Sequence, residues 1–199
     1  MLKRLLDVAA SALVLLLLSP VFLLIACAVV LDSGRPVLFR QDRVGRGFRR
    51  FSIWKFRSMR AHTPGATVTA AGDPRITRVG RILRAAKLDE LPQFWNILRG
   101  DMSLVGPRPE VLEYVEMYKD RYRRILQVRP GITDLASIRF RDEEGVLAAS
   151  GDPVREYIDH VLPQKLDLAD EYLRRQSLLL DFTILLQTFR VVLLKNPGL

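Results

Sequence analysis

The sequence predicts an α+β protein, mainly α-helical, in which a membrane-embedded segment precedes a compact domain. Three observations lead to this prediction: a nearly unbroken apolar run from Leu5 to Leu31, two strand-like segments around a glycine pair, and helical periodicity farther along. With 199 residues, the chain is long enough for one domain with a sizeable core. We therefore expect two parts, residues 1–34 in the membrane and residues 35–199 as the domain at its surface.

The charge balance predicts an anionic partner. The chain has 31 Lys and Arg against 22 Asp and Glu, a net charge of +9. Phospholipid headgroups and phosphorylated small molecules both fit, whereas a nucleic-acid partner is not expected, because no aromatic interleaving or recognition motif accompanies the charge. The single cysteine, Cys27, excludes an internal disulfide and fits a reducing, cytoplasm-facing location.

The apolar run predicts a broken helix. A straight helix from Leu5 to Leu31 would measure about 40 Å, more than the hydrocarbon core of about 30 Å. Pro20, near its middle, lacks an N–H and collides with the carbonyl of Leu16, so we expect a kink, with Ser19 hydrogen-bonding the freed carbonyl. The two arms, about 22 Å and about 16 Å long, are each too short to cross.

Charges at both ends of the run favour a return to the same face. Basic residues precede and follow it: Lys3 and Arg4 on one side, and Arg35, Arg40 and Arg43 on the other. Both ends therefore prefer the cytoplasm. A re-entrant helix that breaks at Ser19-Pro20 satisfies length, break and charge together. A tilted spanning helix with a proline kink is the alternative, and the residues alone do not choose between them.

A short β-hairpin is predicted next. Residues 37–41 and 51–56 are rich in strand formers and surround Gly45-Arg46-Gly47, which can turn the chain. The glycine pair is not a dinucleotide-binding fingerprint, because Arg50 stands at the third glycine position. Residues 63–72 predict a surface loop.

Helices are predicted over most of the remainder. Pro109-Glu110 opens a helix that ends at 129–131, and its apolar face carries Val111, Val115, Tyr118, Tyr122, Ile125 and Leu126. Residues 142–150 indicate an acidic turn, and Pro153 starts a helix that continues in steps to Arg175. Residues 178–194 are apolar but contain Asp181, Gln187 and Arg190, which suits an interfacial or core helix better than a second span.

A ladder of basic residues is the first group with chemical content. Its members recur every third residue: Arg75, Arg78, Arg81 and Arg84, extended by Lys87. On a helix or tight turn they would form one advancing stripe, which matches the oxygens of a diphosphate. A solvated face or attraction to anionic lipids is the alternative. The position of the ladder directly before two carboxylates favours the diphosphate.

Those carboxylates are Asp89 and Glu90. Because Pro92 favours the first turn of a helix, we expect the pair at the N-terminal end of residues 91–98, with the helix dipole and the arginines keeping Asp89 ionised. Adjacent helical residues diverge by about 100°, so one carboxylate could act on phosphorus while the other faces Mg²⁺ or a hydroxyl. Helix capping by acidic residues is the alternative.

A longer set of motifs resembles a known family. They are Gln41-x-Arg43-x-Gly45, Lys55-Phe56-Arg57-Ser58-Met59, Asp73-Pro74-Arg75-Ile76-Thr77-Arg78-Val79-Gly80-Arg81, Asp89-Glu90-Leu91-Pro92-Gln93, Asn96-Ile97-Leu98-x-Gly100-Asp101-Met102-Ser103-Leu104-Val105-Gly106-Pro107-Arg108-Pro109, and Arg129-Pro130-Gly131-Ile132-Thr133. In this order the chain resembles the monotopic phosphoglycosyl transferases, bacterial sugar transferases that move a sugar 1-phosphate from a nucleotide diphosphate sugar to polyprenol phosphate.

The resemblance implies roles for individual residues. Asp89 matches the nucleophile and Glu90 its partner acid, both beside a required Mg²⁺, and Ser19-Pro20 matches the break of a re-entrant helix. Arg108 lies near the active site, and Arg84 matches a basic residue that holds substrate phosphate. The implied location is the cytoplasmic face of the bacterial inner membrane, in contact with lipid. The chain resembles the minimal form of the family without extra N-terminal helices, and its oligomeric state is left open, a homodimer being one option.

The resemblance also implies a ping-pong reaction. The sugar phosphate moves from a nucleotide, expected to be uridine diphosphate, to Asp89 and then to polyprenol phosphate. Many relatives continue the Pro-Gly-Ile-Thr motif with Gly-Trp-Ala-Gln, whereas this chain has residues 134–137 as Asp-Leu-Ala-Ser, so the sugar cannot be inferred. Arg139 is a further candidate phosphate contact. A glycosyltransferase that releases nucleoside diphosphate and a non-enzymatic membrane adaptor are the alternatives, although no Asp-x-Asp metal motif is present.

Overall fold

The computed structural model describes residues 1–60 and 68–194. Most of these residues are helical, as predicted. The helices are α1 (Leu2–Leu17), α2 (Ser19–Ser33), α3 (Arg78–Ala85), α4 (Gln93–Arg99), α5 (Leu112–Met117), α6 (Lys119–Ile125), α7 (Leu135–Arg139), α8 (Glu143–Ala148), α9 (Pro153–Glu156), α10 (Leu162–Arg175) and α11 (Leu178–Leu194). The strands are β1 (Leu38–Val44), β2 (Arg50–Phe56), β3 (Ser103–Val105) and β4 (Gly131–Thr133). Residues 63–67 of the predicted surface loop lie outside the described residues.

The apolar N-terminal run is a bent helix pair, as predicted. Helices α1 and α2 meet at an angle of 61°, and the Ser19 hydroxyl donates to the Leu16 carbonyl over 2.8 Å, in the place where Pro20 prevents the regular helical bond. Among the described residues, no single helix has the length and apolarity of a membrane span, whereas α1 and α2 reach both only as a bent pair. The predicted break and the predicted hydrogen bond are therefore confirmed.

The first two turns of α1 are attached to the main domain. The Lys3 ammonium donates to the Val105 carbonyl over 3.0 Å and pairs with Asp181 over 2.6 Å. The Arg4 guanidinium donates to the Ile97 carbonyl over 2.7 Å. The buried Asp7 carboxylate accepts from the Ser103 hydroxyl over 2.8 Å. The start of α1 is thus fixed to α4, β3 and α11.

Two small sheets lie beside these helices. Strands β1 and β2 form the predicted antiparallel hairpin, in register from Leu38 opposite Phe56 to Val44 opposite Arg50. Strands β3 and β4 form a parallel pair that the sequence did not indicate, because three-residue strands carry too little periodicity. A Cβ atom on Gly131 would lie 2.2 Å from the Gly106 nitrogen, so the two chain segments approach too closely for any other residue at Gly131.

The long helix predicted from Pro109 is wrong in its bounds. Glu110 instead pairs with Val44 as a β-bridge, and this extended backbone delays the start of α5 to Leu112. Tyr118, at φ −120° and ψ 37°, then breaks the helix, and α6 ends at Ile125 rather than at residues 129–131. Four residues of the predicted apolar face are nevertheless buried: Val115, Tyr122, Ile125 and Leu126.

The C-terminal third agrees with the sequence in all but one element. Residues 142–150 contain helix α8 instead of the predicted acidic turn, because Asp142 caps the helix by accepting from the Gly145 N–H. The stepped helix from Pro153 to Arg175 is confirmed as α9, a π-helical turn (Tyr157–Val161) and α10. Helix α11 buries Ile184 and Asp181 while Phe182 is exposed.

Candidate active site

The Asp89-Glu90 pair lies in a tight turn between α3 and α4. Lys87 adopts the left-handed conformation at φ 55°, which reverses the chain after α3. Residues Leu88–Glu90 form a 3₁₀ turn, and Pro92 caps α4 directly afterwards. The pair therefore precedes α4 by one turn, close to the predicted position but not inside the helix.

Glu90 is clamped by two cations. The Lys55 ammonium, at the end of β2, donates to Oε1 over 2.8 Å, and the Arg108 guanidinium donates to both carboxylate oxygens. Burial opposes the ionised form, but Arg108 and Lys55 outweigh it and hold the pKa of Glu90 well below its ordinary value. Glu90 in turn raises the pKa of Arg108. Glu90 is therefore an anion at neutral pH whose charge is balanced by Lys55 and Arg108.

Asp89 has the opposite environment. Its side chain is buried, and it forms no hydrogen bond or ion pair with another described residue. Burial raises the pKa of Asp89, and the neighbouring Glu90 charge adds to it, although Lys55, Arg84 and Lys87 act in the other direction. Contrary to what the sequence suggested, the helix dipole and the arginines therefore do not lower the pKa of Asp89 below its ordinary value, because burial is the largest influence and α4 is short. Asp89 is a desolvated carboxyl whose oxygens are available to a ligand.

The basic ladder is not a single stripe. Helix α3 spans only Arg78 to Ala85, so Arg75 lies before it and Lys87 after it. Arg75 pairs with Asp73 over 2.6 Å, whereas Arg78 and Arg81 are exposed on α3. Of the five predicted residues, Arg84 and Lys87 act on the charge of Asp89. The single stripe predicted from Arg75 to Lys87 is therefore interrupted at both ends of α3, and diphosphate binding by these residues stays a prediction.

Arg108 is held in place from behind. Its backbone N–H donates to Asp134 Oδ2 over 3.1 Å, and Oδ1 of the same residue caps α7 by accepting from the Ser137 N–H over 2.6 Å. The segment where the sequence departs from the family pattern thus positions the backbone of Arg108, which donates to Glu90. Arg139 lies at the C-terminal end of α7, and no contact between described residues joins it to the pair.

The sequence reasoning missed two functional side chains. Lys55 belongs to the quoted Lys55-Phe56-Arg57 motif, and its place on β2 was the available signal. Asn96 fixes the alignment that lets Lys55 reach Glu90. Its Oδ1 accepts from the Trp54 N–H over 3.1 Å and its Nδ2 donates to the Ser52 carbonyl over 2.8 Å, so α4 is bonded to β2.

The carboxylate oxygens of Asp89 and Glu90 are the candidate ligands for Mg²⁺. Within the described part of the chain, no three His, Cys, Asp or Glu side chains are grouped as metal ligands. Both oxygens of Glu90 accept from Arg108, while those of Asp89 accept no hydrogen bond from a described residue. Mg²⁺ is commonly held by one or two carboxylates together with substrate phosphates. The residues fit an ion that Asp89 holds with the substrate, and Glu90 is available only if its ion pairs open.

Comparisons with known proteins agree on one family. A model described as bacterial sugar transferase matches residues 1–195. A UDP-glucose:undecaprenyl-phosphate glucose-1-phosphate transferase of Caulobacter vibrioides is 52% identical over 142 residues, 69% of this chain and 53% of that protein. A UDP-N-acetylgalactosamine-undecaprenyl-phosphate N-acetylgalactosaminephosphotransferase of Aeromonas hydrophila is 41% identical over 96% of this chain and 43% of that protein. An uncharacterized sugar transferase of Bacillus subtilis, EpsL, is 36% identical over 98% of this chain and 89% of its own length. The chain thus spans about half of the first two relatives.

Proposed function

The chain belongs to the bacterial sugar transferase family, and from this premise we propose that it transfers a sugar 1-phosphate from a uridine diphosphate sugar to polyprenol phosphate. The products are a polyprenyl diphosphate sugar and uridine monophosphate. The names of the Caulobacter and Aeromonas relatives, both of which pair a UDP-sugar with undecaprenyl phosphate, support this substrate pair. Such a transfer starts glycoconjugate assembly, including exopolysaccharide and lipopolysaccharide, at the membrane.

The observation that carries the proposal is the contrast between the two neighbouring carboxylates. Glu90 forms ion pairs with Lys55 and Arg108, and these ion pairs fix the positions of both cations beside Asp89. Asp89 is buried and has no bonding partner among the described residues, so its oxygens are not blocked by a donor. A carboxylate that water and hydrogen-bond donors do not stabilise is a stronger nucleophile. The pair therefore suits covalent catalysis by Asp89.

In the first half-reaction, an Asp89 oxygen attacks the phosphorus that bears the sugar. The new O–P bond forms as the bond to the uridine monophosphate oxygen breaks, and that oxygen leaves with the electron pair. Arg84, Lys55 and Arg108 surround the pair with positive charge, which stabilises the charge that develops on the phosphate oxygens. The product is a phosphoglycosyl acyl phosphate on Asp89.

In the second half-reaction, a phosphate oxygen of polyprenol phosphate attacks the same phosphorus. The bond to Asp89 breaks, and the carboxylate is regenerated for another cycle. The two half-reactions exchange one activated phosphate bond for another, so the proposed sequence is ping-pong. Mg²⁺, with Asp89 as its best-placed ligand, would supply charge neutralisation on the phosphates when bound.

We also propose that α1 and α2 form a re-entrant membrane segment on the cytoplasmic face. The 61° bend, the Ser19 bond at the break and the apolar side chains on the outside of both helices support it. Those exposed side chains include Leu13, Leu16, Leu17, Leu23, Leu24 and Leu31. Lys3 and Arg4 anchor the start of α1 to the main domain, which keeps the Asp89 turn near the lipid surface.

The test is product release across a panel of uridine diphosphate sugars, with polyprenol phosphate and Mg²⁺ in detergent or vesicles. We expect uridine monophosphate from at least one sugar. Asp89→Asn is expected to abolish the release, because an amide is a poor nucleophile toward phosphorus. Release of uridine diphosphate would identify a glycosyltransferase instead, and no release from any nucleotide sugar would contradict the proposal.

A further inference from the structure

A polar stripe follows the buried face of the helical segment that contains Asp89. Asp89, Gln93 and Asn96 are separated by four and three residues, so they share one face of the continuous turn and α4. Their exposed fractions are 4%, 2% and 0%. Three polar side chains in succession on a buried helix face are unusual unless each has a partner.

The three members of this stripe differ in how well they are bonded. Asn96, farthest from the turn, uses both ends of its amide on the backbone of β2. Gln93, one turn nearer to Asp89, has an Nε2 that is buried and without a hydrogen-bond partner among the described residues. A buried donor without a partner lowers the stability of the fold, because its lost hydration is not replaced. An apolar side chain of the same size would avoid this cost, so the amide indicates a ligand.

We propose that Gln93 is a substrate-contacting residue whose amide N–H donates to a non-bridging oxygen of the phosphoryl group that Asp89 receives. This inference rests on the function proposed above. Side chains four residues apart on a helix have Cβ atoms about 5–6 Å apart, which a phosphoryl group on Asp89 and the longer glutamine side chain can bridge. The donor is neutral and directional, in contrast to Lys55 and Arg108, whose charges are held by Glu90. It therefore orients the phosphoryl group rather than attracting it.

The contact strengthens as charge develops on the phosphoryl oxygens. A fixed donor in a buried site stabilises such charge more than it stabilises the free substrate, so its removal lowers kcat with little change in KM. Removal of one comparable oxyanion donor slows an enzyme by about 10²–10³-fold. Because the donor lacks a partner among the described residues of the free protein, its removal also has no hydrogen bond to break there.

The experiment combines thermal unfolding with uridine monophosphate release by the full chain carrying Gln93→Met, which keeps the length and removes the donor. We expect kcat to fall at least tenfold, KM for the nucleotide sugar to stay within about threefold, and the unfolding midpoint to stay the same or rise. Gln164→Met, on an exposed residue of α10, is the matched control and is expected to leave both unchanged. Asn96→Leu, by contrast, is expected to lower the unfolding midpoint, because it breaks the two hydrogen bonds to β2.

The outcomes separate this inference from the proposed function. A wild-type protein that releases uridine monophosphate, with a Gln93→Met variant of equal kcat, overturns the inference and leaves the function standing. A Gln93→Met variant that loses stability in the manner of Asn96→Leu also overturns it, because the amide would then be structural. If methionine prevents folding, Gln93→Asn withdraws the same amide by one methylene, and an unchanged kcat in that variant contradicts the contact. No release by the wild type removes the proposed function and this inference together.

Discussion

Arg84 of α3 and Glu144 of α8 form an ion pair in which both the Nε and an Nη of the arginine donate to the same carboxylate oxygen. Arg84 is the ladder residue that the family resemblance assigns to substrate phosphate, and it acts on the charge of Asp89. The role proposed for Arg84 therefore requires a substrate phosphate to compete with the Glu144 carboxylate. The Glu144 carbonyl also accepts from the Ala71 N–H over 2.9 Å, so α8 is connected to the segment that leads into α3.

Glu144→Gln is expected to lower KM for the nucleotide sugar. The carboxylate competes with the substrate phosphate for Arg84, and a half-exposed ion pair of this kind contributes up to about 1 kcal/mol, which corresponds to roughly a two- to fivefold change. Initial rates of uridine monophosphate release against sugar nucleotide concentration measure it. Glu116→Gln removes an exposed ion pair with Lys119 and serves as the control. A raised KM in Glu144→Gln would show that the carboxylate helps to position Arg84 instead.

Asp89→Asn is expected to stabilise the fold while it abolishes the reaction. Because the pKa of Asp89 is raised in the folded state, the contribution of this group to stability is present below its unfolded pKa and lost as the pH rises through the folded pKa. At neutral pH the ionised side chain therefore costs stability, and a neutral amide avoids that cost. Thermal unfolding at pH 7 and at pH 4 measures it. The gain should be larger at pH 7, and an equal gain at both would contradict the charge argument.

Glu90→Gln is expected to destabilise the fold, in contrast to Asp89→Asn. The pKa of Glu90 is lowered, so its contribution to stability is present above the unfolded pKa and lost as the pH falls through the folded pKa. The amide leaves Lys55 and Arg108 without their counter-charge, which costs about 3 kcal/mol, the lower end of the range for a broken buried pair. Denaturant unfolding at pH 7 measures this loss. Glu171→Gln, in an exposed pair with Arg175, is the control and should change stability by less than about 1 kcal/mol.

As the pH is lowered, the rate of uridine monophosphate release is expected to fall. This fall should begin at a higher pH than it would for a nucleophilic aspartate with an ordinary pKa. An unperturbed aspartate has a pKa of about 3.9. Burial raises the pKa of Asp89, and only the ionised form attacks phosphorus, so the acid limb of kcat/KM reports that raised pKa. A pH profile of kcat/KM checks it. An acid limb at or below the ordinary aspartate value would contradict the role of burial.

Local patterns predicted the parts of this fold that depend on neighbouring residues. The break at Pro20, the Ser19 bond to Leu16 and the paired strands around Gly45 all follow from a few adjacent side chains. The stepped helix that begins at Pro153 also follows from residues that are close in the sequence. By contrast, the pairing of β3 with β4 joins residues that are far apart in the chain, and three-residue strands give no periodic signal.

The sequence proposed residues for the candidate site but not their electrostatic environment. The basic ladder and the family resemblance indicated Asp89, Glu90, Arg84 and Arg108, but they did not give the burial or the bonding partners of these side chains. Which carboxylate is clamped depends on Lys55, far earlier in the chain, and on the Asn96 bonds that align α4 with β2. The sequence did not show that the pKa of Asp89 is raised, because burial, the largest cause, depends on how distant segments pack around the turn.

Gly80→Ala tests how α3 is held against the chain segment that follows β2. A Cβ atom at Gly80 would lie 2.0 Å from the Ser58 carbonyl oxygen, a contact that only a backbone shift can relieve. The substitution is expected to destabilise the fold by about 1–3 kcal/mol, which is the usual cost of overpacking. Because α3 carries Arg84, the shift is also expected to raise KM for the nucleotide sugar. Gly151→Ala is the control, since no atom of the described residues lies within 4 Å of the position that its methyl group would take, and equal stability of the two variants would contradict the close packing.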